Sequence, residues 1–180
     1  AKDYLRCQLI IAGGYDKRVA ENREYLGELQ VMCREKQLDS LTIFSARPSD
    51  IDSLASVLLL PSVSDSLKQL LYRRAFLLLF TAGEEHFGIV PVEAMMNGVP
   101  VIAVNAGGPR ETVADSRTGF LCDESPESMA RAVRNVVQGM YDRAALGQQA
   151  RQHALANFGM DRFESALEDI VTRLMVDDVR

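Results

Sequence analysis

Phe76 to Phe80 is a run of five apolar residues, FLLLF, closed by a turn of small and acidic residues, Thr81-Ala82-Gly83-Glu84-Glu85-His86-Phe87-Gly88. A run so short and so abruptly bounded suits a strand buried on both faces, the usual condition of a parallel sheet. Beyond the turn comes Pro91, a residue favoured at the first position of a helix, with Val92, Ala94, Met95 and Met96 behind it. Strand, glycine-containing turn and helix start, in that order, are the repeating unit of an α/β layer. They also present unpaired backbone N–H groups to an anionic ligand.

The same unit recurs along the chain. Cys7–Ala12 predicts a buried strand ending at Gly13-Gly14, and Asp16–Leu38 a charged amphipathic helix with Val19, Leu26, Leu29, Val31 and Met32 as its buried stripe. Leu41–Phe44 is a second short strand, followed by Ser45-Ala46-Arg47-Pro48. Asp65–Ala75 predicts a helix with Leu67, Leu70 and Leu71 inward. Val99–Val104, entered through Pro100 at a sheet edge, ends in the glycine-rich turn Asn105-Ala106-Gly107-Gly108-Pro109-Arg110-Glu111. Gly119–Cys122 is a last strand. Ser125 caps a helix from Pro126 to Met140, and helices over Asp142–Asn157 and Asp161–Val176 follow, with His153 on a surface or interdomain face. Four or five parallel strands of this kind predict a Rossmann-like three-layer α/β sandwich with C-terminal helices, residues 1–180 forming one domain. The turns after Ala12, Phe44, Phe80 and Val104 are expected on one ligand rim.

Composition removes several classes. A net charge of −5 with no basic run argues against nucleic acid as a partner. Cys7, Cys33 and Cys122 are odd in number and lack CxxC spacing, so they are expected as reduced thiols of a cytosolic compartment. No apolar segment reaches the length of a membrane span, and the first residues do not read as a signal peptide.

Glu85 and Glu93 flank the expected helix start with seven residues between them. A carboxylate repels phosphate, yet each can accept a pair of hydrogen bonds from the adjacent hydroxyls of a ribose or hexose. Such charge-assisted bonds contribute roughly 1.5–3 kcal/mol each. The local chemistry therefore asks for a ligand with phosphates in the middle and sugars outside, which describes a nucleotide-sugar. Gly107 and Gly108 have two readings, a tight left-handed turn or a second set of N–H groups facing phosphate or sugar; their place directly after an adjacent strand favours the site. A paired acid and nucleophile of a glycosidase is the competing reading of the two glutamates. The phosphate-cradling turn between them argues against it.

Glu85 to Glu93 reads as the E-x7-E motif of retaining GT-B glycosyltransferases. Together with EHFGIVPVEAM, the blocks IAGGYDKRVAEN, VIAVNAGGPRE and TGFLCDE make the chain resemble the donor-binding domain of one branch, the mannosyltransferases of the second and third mannose steps of asparagine-linked glycosylation. The resemblance runs block by block from about Leu9 to Cys122. It implies transfer from GDP-mannose to a dolichol-linked oligosaccharide on the cytosolic face of the endoplasmic reticulum, with no metal or other cofactor. Glu93 is then expected to grip the ribose hydroxyls. Glu85, the catalytic candidate, holds the mannose and orients its anomeric carbon. The N–H groups of Phe87, Gly88, Ile89 and Val90 take pyrophosphate or mannose oxygens. His86 is a proton carrier or, more simply, a hydrogen-bonding turn residue. Gly13 and Gly14 line the donor cleft, and Arg47 contacts base or phosphate or is a solvated surface cation. Donors carrying uracil or adenine, or a domain that binds nucleotide-sugar without chemistry, remain the alternatives.

The resemblance also marks departures. Ala1-Lys2-Asp3-Tyr4 opens just past the strand that in relatives carries Arg and Lys for the pyrophosphate, and the acceptor-binding N-terminal domain is expected elsewhere. Thr81-Ala82 stands where relatives usually carry Thr-Pro. Pro48–Ser62 looks like an insertion. Within it, Asp50-Ile51-Asp52 imitates a D-x-D metal motif, but Ser49-Asp50 reads as a helix cap instead. Leu54–Pro61 is expected to be core, with a peripheral membrane contact as the second reading.

Overall fold

The computed structural model describes residues 7–177, so the expectation at Ala1–Tyr4 lies outside the described residues. The chain divides into two compact units, one up to Leu71 and one from Tyr72 onward. Each holds a three-stranded parallel sheet flanked by helices. This is the Rossmann-like α/β class expected, with six strands among the described residues where four or five were legible.

The first unit contains β1 (Leu9–Gly13), α1 (Ala20–Glu35), β2 (Ser40–Thr42), a 3-10 helix (Pro48–Asp52) and β3 (Val57–Pro61); α2 (Asp65–Arg74) crosses the boundary. Strand order is β1-β3-β2, with Leu9 opposite Val57 and Thr42 opposite Leu59. β3 is therefore the middle strand, and all five of its residues are buried. Alternation along a strand sends successive side chains to opposite faces. Leu58 and Leu60 accordingly pack with Ile51, Ala55 and Leu67, while Val57 and Leu59 pack with Cys33, Leu26 and Leu29 of α1.

The reading of Leu54–Pro61 as core holds. Val57–Leu60 supply the core of the unit, and among the apolar residues from Leu54 to Pro61 only Leu54 (87%) is exposed, so no apolar surface at Leu58–Leu60 is left for a membrane. The stripe of α1 is narrower than the periodicity suggests. Leu26 and Leu29 are half-buried, whereas Val19, Val31 and Met32 are exposed. The 3-10 helix confirms that Asp50-Ile51-Asp52 is no strand-end motif, though the capping differs from expectation. Pro48 opens it, and Asp50 reaches back to accept from the Arg47 N–H at 2.7 Å.

The second unit contains β4 (Leu78–Phe80), α3 (Ile89–Met96), β5 (Val101–Val104), α4 (Pro109–Thr112), β6 (Gly119–Cys122), α5 (Pro126–Val137), α6 (Arg143–Phe158) and α7 (Met160–Asp177). Strand order is β4-β5-β6, Leu78 opposite Val101 and Val101 opposite Gly119. β5 is the strand buried on both faces. Val101 and Ala103 pack with Tyr72, Val92, Met95, Ala150 and Ala154, and α5 packs against β5 and β6. β4, expected in that role, is an edge strand with a half-exposed pattern, because its apolar run pairs on one side only among the described residues. The Ser125 cap is as read, its oxygen accepting from the Ser128 N–H at 3.2 Å. Asp142 caps α6 by accepting from Ala144 and Ala145 at 2.8 and 3.1 Å.

Leu58→Ala is expected to lower stability by about 2–5 kcal/mol, because it empties volume in a core closed on both sides. Leu54→Ala is expected to stay within about 0.5 kcal/mol of the parent. Urea unfolding checks both, and equal midpoints would show that β3 is not the core strand.

Candidate active site

The turn after β4 ends at Gly88, whose φ of 78° lies in the left-handed region that side chains disfavour. α3 starts immediately after, two residues earlier than Pro91 suggested. Pro91 still falls within the first turn, where an N–H has no partner to lose. Among the described residues, nothing accepts from the backbone N–H groups of Phe87, Gly88, Ile89 or Val90. Ile89 is 64% exposed, and Phe87 and Val90 are exposed with it. Gly88 itself is buried, so the open donors of the α3 N-terminus are those of its exposed neighbours, at the positive end of a helix dipole.

The two glutamates sit in different surroundings. Glu85 and His86 are exposed in the turn, and their side chains have no partner among the described residues. Glu93 is half-buried in α3, and its Oε2 accepts from the Tyr72 hydroxyl at 3.0 Å. Burial first, and then the bond to Glu93, push the Tyr72 phenol well above its usual range. Tyr72 itself is a core residue of this unit, in contact with the α3 and β5 cluster.

The second glycine turn makes a close backbone contact. The Gly108 N–H donates to the Glu85 carbonyl at 2.7 Å, so that amide is already satisfied. A Cβ on Gly108 would lie 2.2 Å from the Phe87 carbonyl carbon, and one on Gly107 2.4 Å from the Glu85 carbonyl oxygen. Gly107 also has a φ of 53°. These glycines let two backbones touch, and they fix the Glu85 turn. α4 behind them is a single turn of four residues and offers no anion site comparable to α3. The far side of the turn is braced from α6. Phe87 meets Phe158 edge-on at 5.8 Å, and His153 Nε2 donates to the Thr112 carbonyl at 3.1 Å. His153 is therefore half-buried within this unit, where a surface or interdomain place was expected.

Gly13, Gly14 and Arg47 belong to the first unit. Gly13 ends β1, its carbonyl accepting from the Ser62 N–H at 2.7 Å. A Cβ on Gly13 or Gly14 meets nothing within 4 Å, and neither has positive φ. Packing within the chain therefore does not require glycine at either position. Arg47 is exposed, its guanidinium 3.5 Å from the Asp50 carboxylate, the geometry of a weak surface pair. The structure thus gathers Glu85 to Val90, Glu93, Gly107 and Gly108 around one turn and one helix tip. Tyr72, Thr112 and Phe158 were missed by sequence reading. Tyr72 had a signal, since a tyrosine on an inward helix face needs a partner for its hydroxyl.

Gly108→Ala is expected to cost about 1–3 kcal/mol, because the new methyl has only backbone to displace. Gly14→Ala is expected to leave the melting temperature unchanged or slightly raised. Thermal melts of the two variants decide it, and similar values for both would remove the close-contact role of Gly108.

Residues 2–153 match the family described as "Glycosyl transferases group 1". The α-1,3/1,6-mannosyltransferase ALG2 of Rhizomucor pusillus is 43% identical over 169 residues, covering 93% of this chain and 37% of that protein. The human ALG2 is 37% identical over 176 residues, covering 98% of this chain and 39% of its own. The chain thus spans under two-fifths of the length of these relatives. Among solved structures, sucrose-phosphate synthase from Thermosynechococcus elongatus superposes with a TM-score of 0.75 at 22% identity, over 94% of this chain and 39% of that one. Anabaena Alr3699/HepE in complex with UDP gives 0.73 at 21%, over 93% and 41%. At those identities the likeness is one of fold, the GT-B type. Taken with the matched family, it follows that this chain belongs to the group 1 glycosyl transferases.

Proposed function

We propose that this chain is the donor-binding part of a retaining mannosyltransferase that moves mannose from GDP-mannose to a lipid-linked oligosaccharide. The observation that carries the reading is the uncovered α3 tip, with unpartnered N–H groups from Phe87 to Val90 and a carboxylate on either side in sequence. Glu93, anchored in the helix, grips the ribose hydroxyls. Glu85, exposed at the turn, holds the mannose hydroxyls and orients the anomeric carbon. As the glycosidic bond breaks, the leaving diphosphate gains charge, and fixed N–H dipoles stabilise that charge more in the transition state than before it. The reading calls on no metal, because those dipoles already face the developing charge. The mannosyltransferase names of the relatives support mannose as the sugar, and guanine follows from the same resemblance. By the same resemblance the acceptor is lipid-linked and bound by an N-terminal domain, and the reaction belongs to the cytosolic face of the endoplasmic reticulum. No helix among the described residues is long and apolar enough to cross a membrane.

Calorimetry of the chain with GDP, UDP and GDP-mannose tests the reading. Weak binding of GDP and GDP-mannose is expected, with UDP weaker. Glu93→Gln is expected to weaken both guanine ligands about ten- to a hundredfold, whereas Glu85→Gln weakens only GDP-mannose, by a similar factor. Mannosyl transfer by the chain alone is expected to be undetectable. Release of free mannose from GDP-mannose would favour a hydrolase, and indifference of GDP to Glu93→Gln would sink the assignment.

A further inference from the structure

Of the two glutamates, Glu85 in the turn and Glu93 within α3, only Glu93 has a hydroxyl donor from another helix. That donor, Tyr72, sits near the end of α2, is 8% exposed, and packs with Val92 and Met95 of α3 and with Val101 of β5. Its ring is therefore held from several sides, and its oxygen has little freedom to follow a moving partner. The bond to Glu93 Oε2 is 3.0 Å. A glutamate at mid-helix has three side-chain torsions, and ordering them costs free energy whenever a ligand selects one arrangement. A carboxylate offers about four acceptor positions, and the phenol takes one of them.

We propose that Tyr72 is a positioning residue, which holds the Glu93 carboxylate in the arrangement that receives the vicinal hydroxyls of a nucleoside diphosphate. The proposal rests on the reading of Glu93 as the ribose grip. Tyr72 touches no ligand; it acts by lowering the ordering cost at Glu93, which is how preorganisation raises affinity. The environment of the phenol agrees with a lasting bond. Burial and the neighbouring carboxylate both hold the hydroxyl in its neutral, donating form across the physiological range.

The test uses Tyr72→Phe, which keeps the ring and its packing and removes only the oxygen. Binding of GDP and of 2′,3′-dideoxy-GDP, which lacks the hydroxyls, is measured by calorimetry for the parent, Tyr72→Phe, Glu93→Gln and the double variant. Tyr72→Phe is expected to weaken GDP about five- to tenfold and to leave dideoxy-GDP unchanged. In the Glu93→Gln background it is expected to add nothing. Equal weakening of both ligands would show a merely structural role and overturn the proposal. GDP weakened by Glu93→Gln but not by Tyr72→Phe would overturn it too, while leaving the donor-site reading intact. GDP indifferent to Glu93→Gln would remove both together.

Discussion

A parallel strand has no face to spare for water, so whatever lies above and below it must be supplied by the same stretch of chain. Among the described residues β3 and β5 are the two strands that meet that condition, and each organises its own unit. Around β3, odd and even residues reach α1 on one side and α2 with the 3-10 helix on the other. Around β5, Val101 and Ala103 meet the α3 and α6 side, while α5 packs across β5 and β6. Helices are thereby fixed against strand ends, and their N-termini inherit a defined position.

The α3 tip shows how little material is needed once that position is set. Gly88 takes the left-handed turn that starts the helix, and Gly107 and Gly108 allow the next loop to lie backbone against backbone on the Glu85 turn. Phe158 and His153 brace it from α6. All of these contacts hold the turn from behind, and none uses the N–H groups of Phe87 to Val90. A donor array that is ordered before a ligand arrives carries no reorganisation cost at the moment charge develops. The exposed carboxylate of Glu85 and the anchored one of Glu93 then differ in freedom as well as in place.

The sequence by itself determined the layer class, the motif and most element positions. The periods of apolar residues, the glycines at strand ends and the cap at Ser125 act through neighbours close in sequence, so they are legible without a fold. Glu85 and Glu93 were legible for the same reason, since a strand, a turn and a helix start fix their spacing locally. Tertiary structure alone decided which apolar run became a central strand. Leu54–Pro61 and Phe76–Phe80 have similar composition, yet one lies between two strands and the other at an edge, because pairing partners come from distant segments. It also decided that Gly107 and Gly108 let two backbones touch, and that Glu93 rests on Tyr72. Each of those facts is a distance between residues 20 or so positions apart, across a fold, and no local pattern encodes such a distance.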